Sequence, residues 1–341
     1  MKRIKAIIYG VGEMGRLMTR IMIEKDVEIV GAIGNKSNIG KDLGEVCGLG
    51  YSLNVKISND ADAVFSSAKA DIAVMSFCSD MQAMYMPTKK CIENGVNVIS
   101  ITEEALYPWT TSPEITKELD ELAKKHGVTV TGGGIQDINW ISLVSVLTGA
   151  SHTIESVLGR ATGNADDFGP VVAGHFHVGE TKEEFESKIR EQKLEEGFMG
   201  IALESVIADL GLTIKQKKQS MESIIAEEDV NSVALGRIIK KGEVLGAAQI
   251  DEMTTDEGID FRAEFIMKVY QESEDDTNIW VIKGYPDLYL KQEKFSGSIM
   301  TCTPTINRIP DIINSEPGFI TVEKLPKIRF RAHPLHYYLN K

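Results

Sequence analysis

Over the first 135 positions the apolar residues fall into short unbroken runs separated by stretches of helical period. Residues 5–9 form an apolar run, which predicts a strand, and it leads directly into Gly10-Val11-Gly12-Glu13-Met14-Gly15. Beyond it, Met14, Leu17, Met18, Ile21 and Met22 recur at i, i+3, i+4, i+7 and i+8, one face of an amphipathic helix. Residues 27–33 predict the next strand. After Glu28 it shows no polar alternation, as expected of a strand covered on both faces. The alternation continues with a strand at 71–77 and a helix carrying Met81, Met84, Tyr85 and Ile92, kinked or restarted at Pro87. After the stop at Gly95 comes a strand at 96–101. A helix opened by Ser112-Pro113 then runs through Ile115, Leu119, Leu122 and Ala123 to Gly127, followed by a strand at 128–131. Strands alternating with helices predict a doubly wound parallel sheet. Ligands of such sheets bind beyond the carboxyl ends of the strands, here the loops 10–15, 34–38, 76–80 and 102–109.

The period changes at Thr131-Gly132-Gly133-Gly134, where three successive glycines suit a close backbone approach or a hinge. A strongly apolar helical stretch follows at 140–147. Later segments are longer and strand-like, at 154–162, 245–253, 259–270 and 279–290, with Gly258 marking a hairpin. Helical segments are expected at 182–196, where Phe185, Ile189 and Leu194 are the core candidates, and at 200–210 and 221–225. The second half therefore predicts an α+β domain on a mostly antiparallel sheet, suited to a substrate pocket and a self-association face. A helix at 301–314 is expected to return to the first domain. The resulting division is a Rossmann domain at 1–135, a substrate-binding and dimerisation domain at 136–299, and a returning segment at 300–341.

Composition narrows the partners. The chain has 341 residues, with 37 Lys and Arg against 50 Asp and Glu, so its net charge of −13 repels polyanions. No basic patch stands out, which argues against nucleic acid and against anionic membranes. No apolar run reaches the length of a membrane span, and the one near the start is too short for a signal-peptide core. Cys47, Cys78, Cys91 and Cys302 form no CxxC pair and do not resemble a metal site. Four reduced thiols and a cytoplasmic location are expected.

The glycine motif carries the first chemistry. GxGxxG between a strand and a helix is a dinucleotide fingerprint: one glycine for the turn, one for backbone approach to a diphosphate, one for helix–strand packing. Gly10, Gly12, Glu13, Met14 and Gly15 are the expected diphosphate contacts. An NAD-selective site usually ends its second strand with an acidic residue for the ribose hydroxyls. Here that place reads Gly34-Asn35-Lys36-Ser37. Asn35, Lys36 and Ser37 are candidates for a 2′-phosphate, so NADP is expected to be accepted, alongside NAD. Ser76, Phe77, Cys78 and Ser79 are expected along the nicotinamide ribose.

Several stretches carry a wider resemblance. Gly40-Lys41-Asp42-Leu43-Gly44-Glu45, Ile101-Thr102-Glu103-Glu104-Ala105-Leu106-Tyr107-Pro108-Trp109, residues 132–140 and Thr303-Pro304-Thr305-Ile306-Asn307-Arg308-Ile309-Pro310-Asp311 together resemble the 2,4-diaminopentanoate dehydrogenases, within the wider dihydrodipicolinate reductase-like group. The resemblance spans the whole chain. It implies oxidation of the C4 amine of 2,4-diaminopentanoate to 2-amino-4-oxopentanoate and ammonia, with NAD or NADP as acceptor, in ornithine fermentation. Two departures separate the chain from more distant relatives. The nearest match to the His-His-x-x-Lys motif of dihydrodipicolinate reductase is Gly174-His175-Phe176-His177, with no lysine three residues on. The Lys-Pro pair of sugar oxidoreductases is replaced by Thr102-Glu103-Glu104.

Amine oxidation needs a neutral amine and a base with pKa near the working pH. His175 and His177, on a segment expected to be extended, are candidates, since alternate residues of such a segment face one side. Asp137 is a second candidate, either as base or as partner of a substrate ammonium, with a plain helix N-cap as the simpler alternative. Glu104 is a candidate for the other ammonium, Asn139 for a substrate contact, and Arg160 for the substrate carboxylate. The expected partner is thus a small diamino acid, with a homodimer or higher homo-oligomer as the assembly. The competing readings are another amino or imino acid oxidoreductase of the same group, and a non-catalytic NAD(P) sensor.

Overall fold

The computed structural model describes residues 2–191, Leu194 and residues 197–340. The chain opens as β1 (Lys5–Tyr9), α1 (Glu13–Glu24), β2 (Glu28–Ile33), α2 (Leu43–Val46), β3 (Ile57–Ser58), α3 (Ala61–Ser67), β4 (Ile72–Met75), α4 (Met81–Glu93), β5 (Asn97–Ser100), α5 (Pro113–His126) and β6 (Thr129–Gly132). A π-helical turn at Asp137–Ser142 leads into α6 (Leu143–Thr148), β7 (Thr153–Asn164), α7 (Gly169–His175), α8 (Lys182–Glu191) and α9 (Phe198–Asp209). Then come β8 (Ile214–Ile225), β9 (Val230–Ser232), β10 (Arg237–Ile239), β11 (Val244–Thr255), β12 (Asp260–Lys268), β13 (Thr277–Tyr285) and β14 (Leu288–Glu293). The chain ends with α10 (Gly297–Asn307), α11 (Ile309–Ile313) and β15 (Gly318–Phe319). It forms two compact units, one of Met1–Ser142 with Gly297–Lys341, the other of Leu143–Ser296.

The first unit is a seven-stranded parallel sheet in the order β15-β6-β5-β4-β1-β2-β3. Alternate strand residues feed two cores, as the period of two requires. Ile8 and Val74 pack with Met18 and Met22 of α1 and with Cys302, Ile306, Ile309 and Ile312 of α10 and α11. Ile7, Met75 and Val98 pack on the other face with Val64, Met84 and Leu119 of α3, α4 and α5. Burying each such side chain contributes roughly 1.5–3 kcal/mol. Pro113 starts α5 and Gly127, left-handed at φ 70°, ends it. Pro87 lies inside α4, which continues through it. The parallel doubly wound sheet expected from the sequence is therefore present.

This unit keeps the π-helical turn through a buried ion pair. Arg308 and Asp137 are both fully buried, with Nε–Oδ2 and Nη2–Oδ1 contacts of 2.6 and 2.8 Å. Ser142 Oγ donates to Asp137 Oδ1 at 3.0 Å. The guanidinium also bonds the Pro326 carbonyl and lies beside Asp311, whose other side is taken by Arg331 at 2.6 Å.

The second unit is a mixed, mostly antiparallel sheet in the order β14-β13-β7-β12-β11-β8, with β7 and β12 as its parallel pair. Helix α9, buried along most of its length, packs on β11 and β12. Across the opposite face, Ile279, Arg160 and Glu264 lie side by side in register and are partly exposed. The α+β domain on such a sheet matches the expectation.

Several local expectations are corrected. Residues 221–225 are strand, the end of β8, which pairs with β11 over nearly its whole length. β8 is an edge strand rich in Lys and Gln, so its polar sequence hides a strand that cross-strand pairing imposes. The run 279–290 breaks after Tyr285 into the hairpin of β13 and β14, where the Asp287 side chain accepts the Gly284 N–H. The segment around His175 is helical rather than extended, because Pro170 pre-sets the first turn of α7. The helix expected at 182–196 is α8 up to Glu191; Gln192, Lys193, Glu195 and Glu196 lie outside the described residues.

Candidate active site

The glycine turn after β1 has the shape of a diphosphate cradle. Gly10 stands at φ +104°, and a Cβ there would lie 2.8 Å from the Ser76 carbonyl oxygen. At Gly15 a Cβ would come within 1.9 Å of the Gly10 carbonyl oxygen, so strand and helix meet only through glycine. A Cβ on Gly12 would meet nothing within 4 Å, which leaves room where the fingerprint places the diphosphate. Gly12 caps α1 without a side-chain bond, so the first-turn N–H groups from Glu13 onward remain free for an anion. Met14 is fixed behind the turn against Cys302, sulfur to sulfur at 3.8 Å. Ser76 Oγ donates to the Gly10 carbonyl at 2.9 Å and ties the end of β4 to the cradle. These residues fit a bound dinucleotide.

Beyond β2, Asn35, Lys36 and Ser37 are exposed. The nearest acid in the following segment, Asp42, is taken up by the backbone N–H groups of Gly44, Leu53 and Val55 at 2.9–3.1 Å. No carboxylate of this loop is therefore placed to hold ribose hydroxyls.

At the ends of β4 and β5, Ser76, Phe77, Cys78, Ser79, Ile101 and Glu103 line a cavity of about 210 Å³. Phe77 packs on Tyr9 with ring centres 5.0 Å apart. Thr102 laces the two strand ends: its Oγ1 donates to the Cys78 carbonyl at 3.1 Å and lies 2.7 Å from Ser100 Oγ. Burial pushes the Cys78 thiol up, so it is no ready nucleophile.

Two consecutive glutamates enter this loop and diverge. Glu104, expected to hold a substrate ammonium, accepts the Met81 N–H and the Ser112 hydroxyl, both at 2.6 Å. It fastens the start of α4 to the segment before α5. Glu103 faces the cavity. Its Oε2 is shut off from solvent and has no hydrogen-bond partner, while Ser79 bonds its carboxyl. Burial pushes this carboxyl up to about 7. Sequence reasoning missed Glu103 because the Glu103-Glu104 pair offers no ranking. Asp80 already caps the helix that starts at Met81 by accepting the Ala83 N–H, so no local rule assigns either glutamate to that helix end.

The other expected site residues divide between the units. Asp137 and Asn139 belong to the first and are fully buried on the π-helical turn. With Arg308 and Ser142 on its oxygens, Asp137 neither caps a helix nor opens to solvent. Arg160, His175 and His177 belong to the second unit. Arg160 is held by Glu264, with Nε–Oε2 and Nη2–Oε2 contacts of 2.7 and 2.5 Å. His175 ends α7 and is exposed. His177, left-handed at φ 57°, is buried with its ring edge-on to Phe185 and its Nδ1 3.1 Å from Glu180. The two histidines therefore do not share a face.

Comparison with known proteins bears on these observations. Residues 140–336 match a family model described as the 2,4-diaminopentanoate dehydrogenase C-terminal domain, and residues 4–133 match the dihydrodipicolinate reductase N-terminus. The chain is 31% identical over 337 residues to the 2,4-diaminopentanoate dehydrogenase of Acetoanaerobium sticklandii, covering 96% of this chain and 94% of that protein. It superimposes on an amine dehydrogenase from Mycobacterium smegmatis with a TM-score of 0.90 and 40% identity, covering 97% and 98% of the two chains. A biliverdin reductase from Synechocystis, solved with biliverdin and NADP+, shares the fold at a TM-score of 0.56 and 12% identity, with 94% of each chain covered. Among the described residues, no helix is long and apolar enough to cross a membrane.

Proposed function

Since the chain belongs to the 2,4-diaminopentanoate dehydrogenase family, we propose that it deaminates 2,4-diaminopentanoate oxidatively at C4, with NAD or NADP as acceptor, giving 2-amino-4-oxopentanoate and ammonia. One observation carries the mechanism: a carboxyl with a raised pKa and an unpartnered oxygen, Glu103, stands in the cavity at the ends of β4 and β5.

When bound, the nicotinamide ring supplies the hydride acceptor for the aminated carbon. The chain's part is to handle protons. An ammonium group has no lone pair to assist loss of hydride, so one proton must leave first. Glu103, ionised above about pH 7, accepts it on its carboxylate. Ser79 holds the carboxylate in place, and Phe77 and Ile101 supply the apolar wall of the cavity. Water then adds to the iminium carbon and ammonia departs. The sum is amine, water and oxidised cofactor giving ketone, ammonia, reduced cofactor and a proton. Asp137, locked by Arg308, is a structural anion in this reading.

The 40% identity to an amine dehydrogenase supports a second reading, oxidation of an amine other than 2,4-diaminopentanoate. Ammonia release and NADPH absorbance with 2,4-diaminopentanoate and with carboxylate-free amines separate the two. In either case Glu103→Gln, which cannot take a proton, should lower turnover by about 10²–10⁴-fold and leave NADP+ affinity unchanged. The wild-type rate should climb through pH 7, and the variant should lack that climb. An undiminished variant rate overturns the role of Glu103. For the assembly, we place self-association on the open sheet face around Arg160 and Ile279; a strictly monomeric sedimentation profile would refute it.

A further inference from the structure

We propose that Gln136 binds the carboxamide of the nicotinamide ring, an assignment that rests on the dinucleotide reading of the glycine turn. Gln136 follows the glycine triplet that leaves β6. It is 7% exposed, and its Oε1 is shut off from solvent with no hydrogen-bond partner. A buried amide oxygen in that state points to a partner supplied by a ligand. The neighbouring backbone is shaped around it. Gly134 stands at φ +123°, and a Cβ there would lie 2.8 Å from Gln136 Oε1, so glycine leaves room for the amide.

The position suits the nicotinamide end of the cofactor. β6 lies next to β5 in the sheet, and the Glu103 turn follows β5. The two strand ends touch closely: a Cβ on Gly132 would lie 2.6 Å from the Ala105 backbone. Gln136 and the Glu103 cavity therefore share one end of the sheet, beyond neighbouring strands. The loop carrying Lys36 follows β2, which β4 and β1 separate from β5 in the strand order.

The chemistry is specific. A primary carboxamide offers one acceptor and two donors, and a glutamine side chain offers the same set. The two pair reciprocally, N–H of each to the oxygen of the other. The pairing holds whichever way the Gln136 amide is turned. Such a pair fixes the ring about its glycosidic bond and so selects the ring face presented to the substrate.

Equilibrium binding reads this without turnover. The ligands are NADP+, its 3-acetylpyridine analogue, whose acetyl group lacks the N–H, and 2′-phospho-ADP-ribose, which lacks the ring. Wild type should bind NADP+ about tenfold more tightly than the analogue. Gln136→Leu should abolish that preference and leave 2′-phospho-ADP-ribose affinity unchanged. Equal wild-type affinity for NADP+ and the analogue, a result needing no variant, overturns the assignment. So does a variant that keeps the preference, or one that loses 2′-phospho-ADP-ribose equally. Failure of wild type to bind any of the three overturns the dinucleotide reading itself, and this inference with it.

Discussion

Two polar clusters in the first unit are built on opposite principles. Around Arg308 the charges are paired: Asp137 takes two guanidinium nitrogens and a hydroxyl, and Arg331 answers Asp311 through Oδ1, while Asp311 Oδ2 stands 3.8 Å from the Arg308 guanidinium. Around the Glu103 cavity, polar atoms are left over: Glu103 Oε2 has no partner, and neither does Gln136 Oε1 beyond the next strand. A buried charge with all its partners holds a fold together, whereas one without a partner destabilises it and persists where a ligand completes it. The contrast sets a carboxylate held by a guanidinium apart from a carboxyl with a raised pKa, without reference to any relative. It also explains why Asp137, the more conspicuous acid in the sequence, lies in the scaffold.

The largest effect should come from breaking the satisfied cluster. Arg308→Ala leaves the Asp137 carboxylate buried and unpaired, which costs about 3–5 kcal/mol. Thermal unfolding of the variant should begin roughly 10 °C lower. Replacing both partners, Asp137→Leu with Arg308→Met, should recover most of that loss, since an apolar pair of similar volume carries no unpaired charge. If the double variant is as unstable as the single one, the cluster does more than neutralise charge.

The unsatisfied cluster should respond with the opposite sign. The Glu103 carboxyl sits at about 7 when folded, against 4.5 for the free side chain. Between those values the folded chain keeps a proton that the unfolded chain has released. Stability therefore falls as pH rises from about 4.5 to 7, by roughly 3 kcal/mol in all. Glu103→Gln escapes this penalty. It should unfold at a higher temperature than wild type at pH 8 and at about the same temperature at pH 4, as differential scanning calorimetry would show. One substitution would then lower turnover and stabilise the fold, the signature of a strained functional group. A variant less stable at pH 8 would place Glu103 with the scaffold.

The comparison also marks what the sequence can carry. The glycine turn, the β/α alternation and the ends of α5 follow from local rules, since each depends on residues within a few positions of one another. Glu103 and Glu104 could not be told apart, because a single turn of 3₁₀ helix sends consecutive side chains in different directions. Which one meets Ser112 and Met81 is settled by packing between helices distant in sequence. The same holds for Asp137, whose partner lies 171 residues away. The histidine pair was misplaced for a local reason, a helix begun by Pro170 where an extended segment was expected. The strand at 221–225 was missed because edge position, not hydrophobic period, decides its sequence.

The smallest effect belongs to a third kind of polar group, fully exposed and without the burial that gives the other two their strength. Lys36, with Asn35 and Ser37, lies open in a loop that has no carboxylate directed at a ribose. A 2′-phosphate meeting Lys36 there gains a charge-assisted bond in high dielectric, worth about 1 kcal/mol. Lys36→Ala should raise KM for NADP about fivefold and leave KM for NAD unchanged. Raising salt to about 0.5 M should shrink the wild-type preference toward that of the variant, because exposed charges are screened within a few ångströms under those conditions. The Glu103 pH dependence, buried, should persist in the same salt. If both KM values move together, or the salt has no effect, the phosphate is not read at this loop. The division into exposed, satisfied and unsatisfied charge would then no longer sort cofactor choice from catalysis.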